Sequence, residues 1–375
     1  MSDYIRTLGL TKSLFDTYED NHTSVFPGGS TTHYDDVLLG THSYLNQKVH
    51  DTIQARATLH SEGIYLTDHG PNHIELVMKR ASQLVRTEDS LLRDGKKDQF
   101  YKSSLTPYEV FLLALAIHFH DVGNMYGREG HEQRIYEEMQ RIGPLAIPNH
   151  QKIIISRIAA CHGGKVEGSK DTIKSLPDGW ERDGEAMYRP RLLAAALRLA
   201  DELADEHSRA DNYGLMRPGD LPATCLLFHK YAEGLRVAID PLAGFISLTF
   251  SLYTDDLRAP FKKPVKGGGV VDQYLLDEIY ERTLKTYSEM QYCGRYMRAL
   301  DTRLNEVRVE IEVYPHKNTS TSIRQYHYTI GDTEYPDYAG KEREVLLTLA
   351  RDFHALPTGS ELARSLPGVD TAVTL

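Results

Sequence analysis

A mostly α fold with a smaller α+β region at the C-terminal end is predicted by three observations. Between residues 41 and 206, apolar residues recur at helical spacing. Apolar runs that resemble strands collect only after about residue 225. The chain has no internal repeat or low-complexity segment, and its 375 residues, 41% of them hydrophobic, suffice for one large domain or two ordinary ones.

Residues 1–40 read as an irregular lead-in around the turn Pro27-Gly28-Gly29-Ser30. Residues 72–86 place Ile74, Val77, Met78, Ala81 and Leu84 on one helical face. Thr106-Pro107-Tyr108-Glu109 is a capping box with proline at the first helical position, opening a helix over 106–120. Its residues Val110, Phe111, Leu113, Ala114, Leu115 and Ile117 leave little polar surface, so it is expected to be buried, with Gly123 as its C-cap. Further helices are expected at 129–141, 149–161 and 189–206, with a loop at 165–188. Past residue 207, the runs CLLFHKYA and GFISLTFSLY around RVAID predict a small antiparallel sheet. A basic, glycine-rich loop at 255–270 leads to a long helix over 272–304. Strands at 307–315 and 322–331 and helices at 341–354 and 359–366 complete the chain. The division expected is a lead-in at 1–40, a helical domain at 41–210 and an α+β region at 211–375.

Composition limits the function. Lys and Arg number 43 against 53 Asp and Glu, a net charge of -10, which argues against a protein that coats nucleic acid. Cys161, Cys225 and Cys293 are odd in number and far apart, so neither a disulfide framework nor a CxxC zinc site is expected. Reduced thiols point to a cytoplasmic protein. The N-terminal stretch lacks the apolar core of a signal peptide, and no apolar run is long enough to cross a membrane. The unusual count is 17 histidines.

Three stretches carry chemistry. His73 opens an apolar helix, His120-Asp121 closes a buried one, and Asp201 lies inside the apolar helix ALRLADELAD. A carboxylate buried there costs several kcal/mol unless paired or metal-bound. An adjacent His-Asp pair where the chain leaves helical geometry can put both side chains on one ion, and the donors suit a hard or borderline divalent metal.

The order His … His-Asp … Asp, in HGPNHIELV, IHFHDVGN and LRLADELAD, resembles the HD superfamily of metal-dependent phosphohydrolases. The resemblance covers about residues 41–210 and implies an HD-domain helical bundle. LTDHGPNHI and RLADELAD resemble in wording the bacterial branch associated with conflict and defence loci, which implies a part in antiviral defence. Similarity to the two-metal members implies His73, His120, Asp121 and Asp201 as ligands of a first ion. His131 and His162 would serve a second, with Asp121 bridging and His120-Asp121 at the centre of catalysis. One or two divalent ions are expected, with Mn, Mg, Fe, Ni, Co and Zn all open. Two such ions can hold a phosphate between them and generate a hydroxide for in-line attack.

The expected activity is hydrolysis of a phosphate ester or anhydride in a nucleotide-type substrate, by a phosphodiesterase or a deoxynucleoside triphosphohydrolase. Single-stranded nucleic acid is the alternative partner, for an HD-type nuclease; a non-catalytic nucleotide sensor and a di-iron oxygenase are further alternatives. A homo-oligomer stays open. Asn124 stands where many relatives have Lys, and Gly163-Gly164-Lys165 follows His162 where the cyclic-di-GMP enzymes carry a Gly-Tyr-Pro extension. Both departures weigh against cyclic-di-GMP. For substrate binding, Lys165, Arg209, Lys262, Lys263 and Arg295 are the candidates, with Lys266 in the same basic run. His69 reads as solvent-facing or behind the ligands, His118 as a packing residue. Tyr287, Tyr292 and Tyr296 read as packing aromatics. The stretch near 346–366 resembles a helix-turn-helix only faintly, without a following recognition helix.

Overall fold

The computed structural model describes residues 9–19, 26–27, 33–57, 69–85, 104–127, 130–142, 146–217, 219, 221–265, 268–300, 304–331, 342–351 and 355–367. The expected mostly α architecture with a smaller α+β region is observed. Its centre is helix α5 (Pro107–Phe119), whose residues 108–119 are all buried. The capping box forms: Glu109 N–H donates to Thr106 Oγ1 at 3.2 Å, and Thr106 N–H to Glu109 Oε2 at 2.9 Å. Glu109 also binds the Arg189 guanidinium at 2.7 Å, which ties the start of α5 to the start of α8 (Pro190–Glu202).

Helices α1 (Gly9–Glu19), α2 (Tyr34–Leu45), α4 (Pro71–Leu84), α7 (Asn149–Ala160) and α8 pack around α5. The lead-in is therefore not irregular: α1 buries Leu10 and Leu14 and packs on α5. Its apolar stripe is short and interrupted by polar residues, so its periodicity is weak; Gly28, Gly29 and Ser30 lie outside the described residues. A π-helical turn (Asn46–His50) joins α2 to α3 (Asp51–Ala57). The expected helix at 129–141 is a 3-10 turn (His131–Gln133) followed by α6 (Ile135–Arg141). The expected loop at 165–188 holds a hairpin, β1 (Glu181–Asp183) and β2 (Ala186–Tyr188). After the short α9 (Asn212–Leu215) comes the main departure: CLLFHKYA is helical, in α10 (Ala223–Gly234), and RVAID is the strand. A short apolar run has no decisive periodicity, and this one contains no β-branched residue.

Strand β3 (Leu235–Asp240) pairs antiparallel with β4 (Phe245–Tyr253), which alternates buried and half-buried residues along its length. The 255–270 segment is likewise structured, by α11 (Thr254–Leu257) and a hairpin of β5 (Phe261–Pro264) and β6 (Val270–Gln273). Lys266 and Gly267 lie outside the described residues. The long helix α12 is shorter than expected (Leu275–Gly294). It is the crossover that lets β7 (Glu306–Tyr314) lie parallel to β4. The antiparallel neighbours β8 (Arg324–Ile330) and β9 (Ala350–Arg351) complete the five-stranded order β3-β4-β7-β8-β9. Helices α13 (Glu342–Leu349) and α14 (Gly359–Ser365) close the chain. Because α12 packs on both α8 and β7, the α+β region stands against the face of the bundle where Asp201 lies. Among the described residues no helix is long and apolar enough to cross a membrane.

Candidate metal centre

Four helix ends converge. Pro71 starts α4 after an extended Gly70, which puts His73 in the first turn, fully buried. His120 is the α5 C-cap and still helical, whereas Asp121 has φ -103 and ψ 4. That break turns two consecutive side chains toward one centre. His162 stands two residues past the end of α7, and Asp201 lies in the last turn of α8. Gly123 is not a C-cap. A Cβ there would overlap the carbonyl oxygen of His131, so the glycine lets the 130–133 turn close onto the HD turn. Gly130, at φ +68, gives that turn its left-handed entry.

Asp121 divides its two oxygens. Oδ2 faces the Nε2 atoms of His120 at 3.4 Å and His73 at 3.6 Å. Asp201 Oδ1 stands 3.2 Å from His73 Nε2 and 3.5 Å from His120 Nε2, and those two nitrogens are 3.2 Å apart. Oδ1 of Asp121 faces the Nε2 atoms of His131 at 3.3 Å and His162 at 3.7 Å, themselves 3.0 Å apart. Donors bound to one ion at about 2.1 Å stand about 3.0 Å apart along an octahedral edge and about 3.4 Å along a tetrahedral one. Both clusters have that spacing.

The tautomers agree. His120 Nδ1 and His162 Nδ1 each lie 2.7 Å from a backbone carbonyl, of Ile117 and Ala159, which can only accept. His131 Nδ1 faces Glu132 Oε2 at 3.2 Å. With a proton fixed on Nδ1, the neutral form of each ring has its Nε2 lone pair directed at its cluster. Bare lone pairs 3.0 Å apart repel unless a cation lies between them. Burial, then His120 and His131, pushes His162 down to about 3; burial and Arg209 lower His73 to about 4. Burial acts against a proton on His120, yet Asp121 and Asp201 hold its pKa well above the ordinary range. The two carboxylates thus draw positive charge into the space between them. Burial tends to raise both carboxylates, but the histidines hold them well below the usual range.

Around the ligands lie residues the sequence left in the background. His69 is buried, and its Nδ1 is 2.8 Å from Asp121 Oδ2. Arg209 Nη2 is 3.3 Å from both ring nitrogens of His69. Glu132 fills the space where a Cβ at Gly164 would sit, and Gly164 has φ +68. Its place next to His131 in the sequence was the available signal. His118 packs as expected, its Nε2 3.2 Å from His42 Nδ1. His50 stacks on His118 at 5.8 Å.

A cavity of about 660 Å³ opens from the two clusters. Of the five substrate candidates only Arg209 lines it. Lys165 and Arg295 are exposed elsewhere. Lys262 is paired with Asp272 at 2.6 Å, and Lys263 with Glu278 at 2.7 Å and Glu281 at 2.6 Å. Lys170 adds a cation from the loop after α7, and the others come from α8 and α12, where they are paired: Arg198 with Glu289 at 2.6 Å, Lys285 with Glu202 at 2.7 Å, Arg282 with Asp205. Tyr292 and Tyr296 pack as expected, both reaching Asp171, and Tyr287 donates to the Gly331 carbonyl at 2.7 Å.

A search of the curated proteins finds no match to the chain. The profile of the HD-CE family matches residues 63–256, from before His73 to beyond β4 and just over half of the chain. With an HD-type domain and buried His/Asp clusters that fit divalent ions, the chain belongs to the HD-CE family.

Proposed function

We propose that the protein is a two-metal phosphohydrolase acting on a phosphate ester in a nucleotide-type substrate. The observation that carries this reading is the division of Asp121, one oxygen toward each histidine cluster. His73, His120, Asp201 and Asp121 Oδ2 would hold the first ion; His131, His162 and Asp121 Oδ1 would hold the second. When bound, such ions supply Lewis acidity toward a bridging phosphate and an activated water. The chain's own residues orient that chemistry. His69 holds Asp121 in place, Glu132 holds the His131 ring, and Arg209 offers a guanidinium beside the first cluster for a phosphate oxygen.

A bridging aspartate with a full second cluster supports ester hydrolysis over the triphosphohydrolase alternative, whose relatives usually use one metal. The single-stranded nuclease reading needs a continuous basic groove, and the paired carboxylates of the cavity wall speak against one. We further propose a domain boundary at about residue 210, a cytoplasmic location and a role in antiviral defence. A hydrolysis screen over nucleotide monoesters, cyclic nucleotides and single-stranded DNA, in excess Mn²⁺, tests it. The expected result is turnover of a small phosphate ester, reduced more than about a hundredfold by Asp121→Ala. Stoichiometric metal with no turnover on any of these substrates would overturn it.

A further inference from the structure

The cavity is polar except at one place. Among its described lining residues the apolar side chains are Phe228 and Pro264, both from the α+β region: Phe228 from α10, Pro264 from β5, which packs beside α10. A file of contacts leads there from the metal clusters. Asp121 touches His69 at 2.8 Å, and His69 touches Arg209 at 3.3 Å. Arg209 reaches Asp205 at 3.6 Å, and Asp205 is ion-paired to Arg282. The Arg282 guanidinium then lies over the Phe228 ring, 5.4 Å from its centroid. The charges along this file alternate: Arg209, Asp205, Arg282.

We infer that this file is a subsite for one nucleoside unit, with the base on Phe228 and Pro264 and a single phosphate at the metal clusters. The inference rests on the phosphohydrolase reading for the phosphate end and goes beyond it for the rest. A half-buried phenyl ring beside a proline offers the flat apolar surface on which any base can stack. The carboxylate of Asp205, midway between the phosphate end and the ring, accepts hydrogen bonds from sugar hydroxyls. Ion-paired to Arg282, Lys285 and Arg198, the carboxylates Asp205, Glu202 and Glu289 leave this wall few free cations for a second or third phosphate. The substrate class is therefore a nucleoside monophosphate ester, including one unit of a phosphodiester, and not a nucleoside polyphosphate. Phe228, Asp205 and Glu202 lie within the matched segment, whereas Pro264 on β5 and Arg282, Lys285 and Glu289 on α12 add to the subsite from outside it.

Equilibrium binding tests the subsite without needing turnover. The probes are adenosine 5′-monophosphorothioate and ribose 5-phosphorothioate, which share a slowly hydrolysed phosphate group, titrated into the full-length protein in excess Mn²⁺. The nucleoside probe is expected to bind about fivefold to a hundredfold tighter than the sugar probe. Phe228→Ala erases most of that difference and leaves the sugar probe within twofold; Phe228→Trp keeps it. Equal binding of the two probes by the unmodified protein, or an equal loss of both in Phe228→Ala, overturns the subsite. Adenosine 5′-O-(3-thiotriphosphate) binding more than tenfold tighter than the monophosphorothioate overturns the single-phosphate assignment. Base-dependent binding with no hydrolysis of any phosphate ester would leave the subsite standing and sink the hydrolase reading, so the two failures are distinct.

Discussion

Gly123 and Glu132 support the second histidine cluster although neither is one of its proposed ligands. A Cβ at Gly123 meets the backbone of His131, which is not a flexible tip that can swing aside. Gly123→Ala is therefore expected to displace His131 and lower the bound metal from two ions toward one, read by elemental analysis. Retention of two ions in that variant would mean the contact does not set the cluster. Glu132→Gln keeps the size but weakens the grip on the His131 ring; tenfold to a hundredfold weaker binding of the second ion is expected, with the first unchanged. His131 and His162 entered only through the family resemblance, but His120, Asp121 and Asp201 were legible as candidate ligands because their physical demands are local: a His-Asp pair at the end of an apolar helix and an acid within another. The supporting residues were not, since the contact between Gly123 and His131, or between His69 and Asp121 52 residues away, exists only after folding.

At the scale of elements, α5 shows how a helix end becomes a site. Its capping box, proline and unbroken apolar face fix where it starts and how deeply it lies, and so where His120 and Asp121 emerge. Thr106→Ala should cost about 1 kcal/mol, as an ordinary cap does. Glu109→Ala should cost about 3 kcal/mol or more, because it leaves Arg189 unpaired as well as opening the cap. Chemical denaturation of the two variants checks the ranking; equal costs would deny Glu109 its second role. The sheet was less legible than the bundle. The buried alternation of β4 and β7 survives in their sequences, but CLLFHKYA reads as a strand and folds as α10. Leu, Lys and Ala suit a helix, and Pro222 as N-cap with Gly234 at the end bounds one of 12 residues. That misreading concealed Phe228, whose place over the cavity depends on the helix.

Across the whole molecule, histidines buried without charge couple stability to pH. His50 is 1% exposed, its ring nitrogens have no hydrogen-bond partner among the described residues, and burial, then His120, pushes it down to about 3. The unfolded chain takes up that proton near pH 6.5 and the native chain does not. The stability this contributes is complete above about pH 6.5 and is lost as pH falls toward 3. His50→Phe removes the titration and keeps a ring against His118. Its melting temperature should fall less steeply than that of the unmodified protein between pH 6.5 and 4.5; parallel curves would show that His50 is not a source of acid sensitivity.

The proposed two-ion centre divided by Asp121 is tested most directly by counting metal. The protein is equilibrated with excess Mn²⁺, desalted, and analysed for metal per chain, beside His162→Ala and Asp121→Ala. Two ions in the unmodified chain, one in His162→Ala and fewer than one in Asp121→Ala are predicted. A chain that never holds more than one ion, or an Asp121→Ala variant that still holds two, would contradict it.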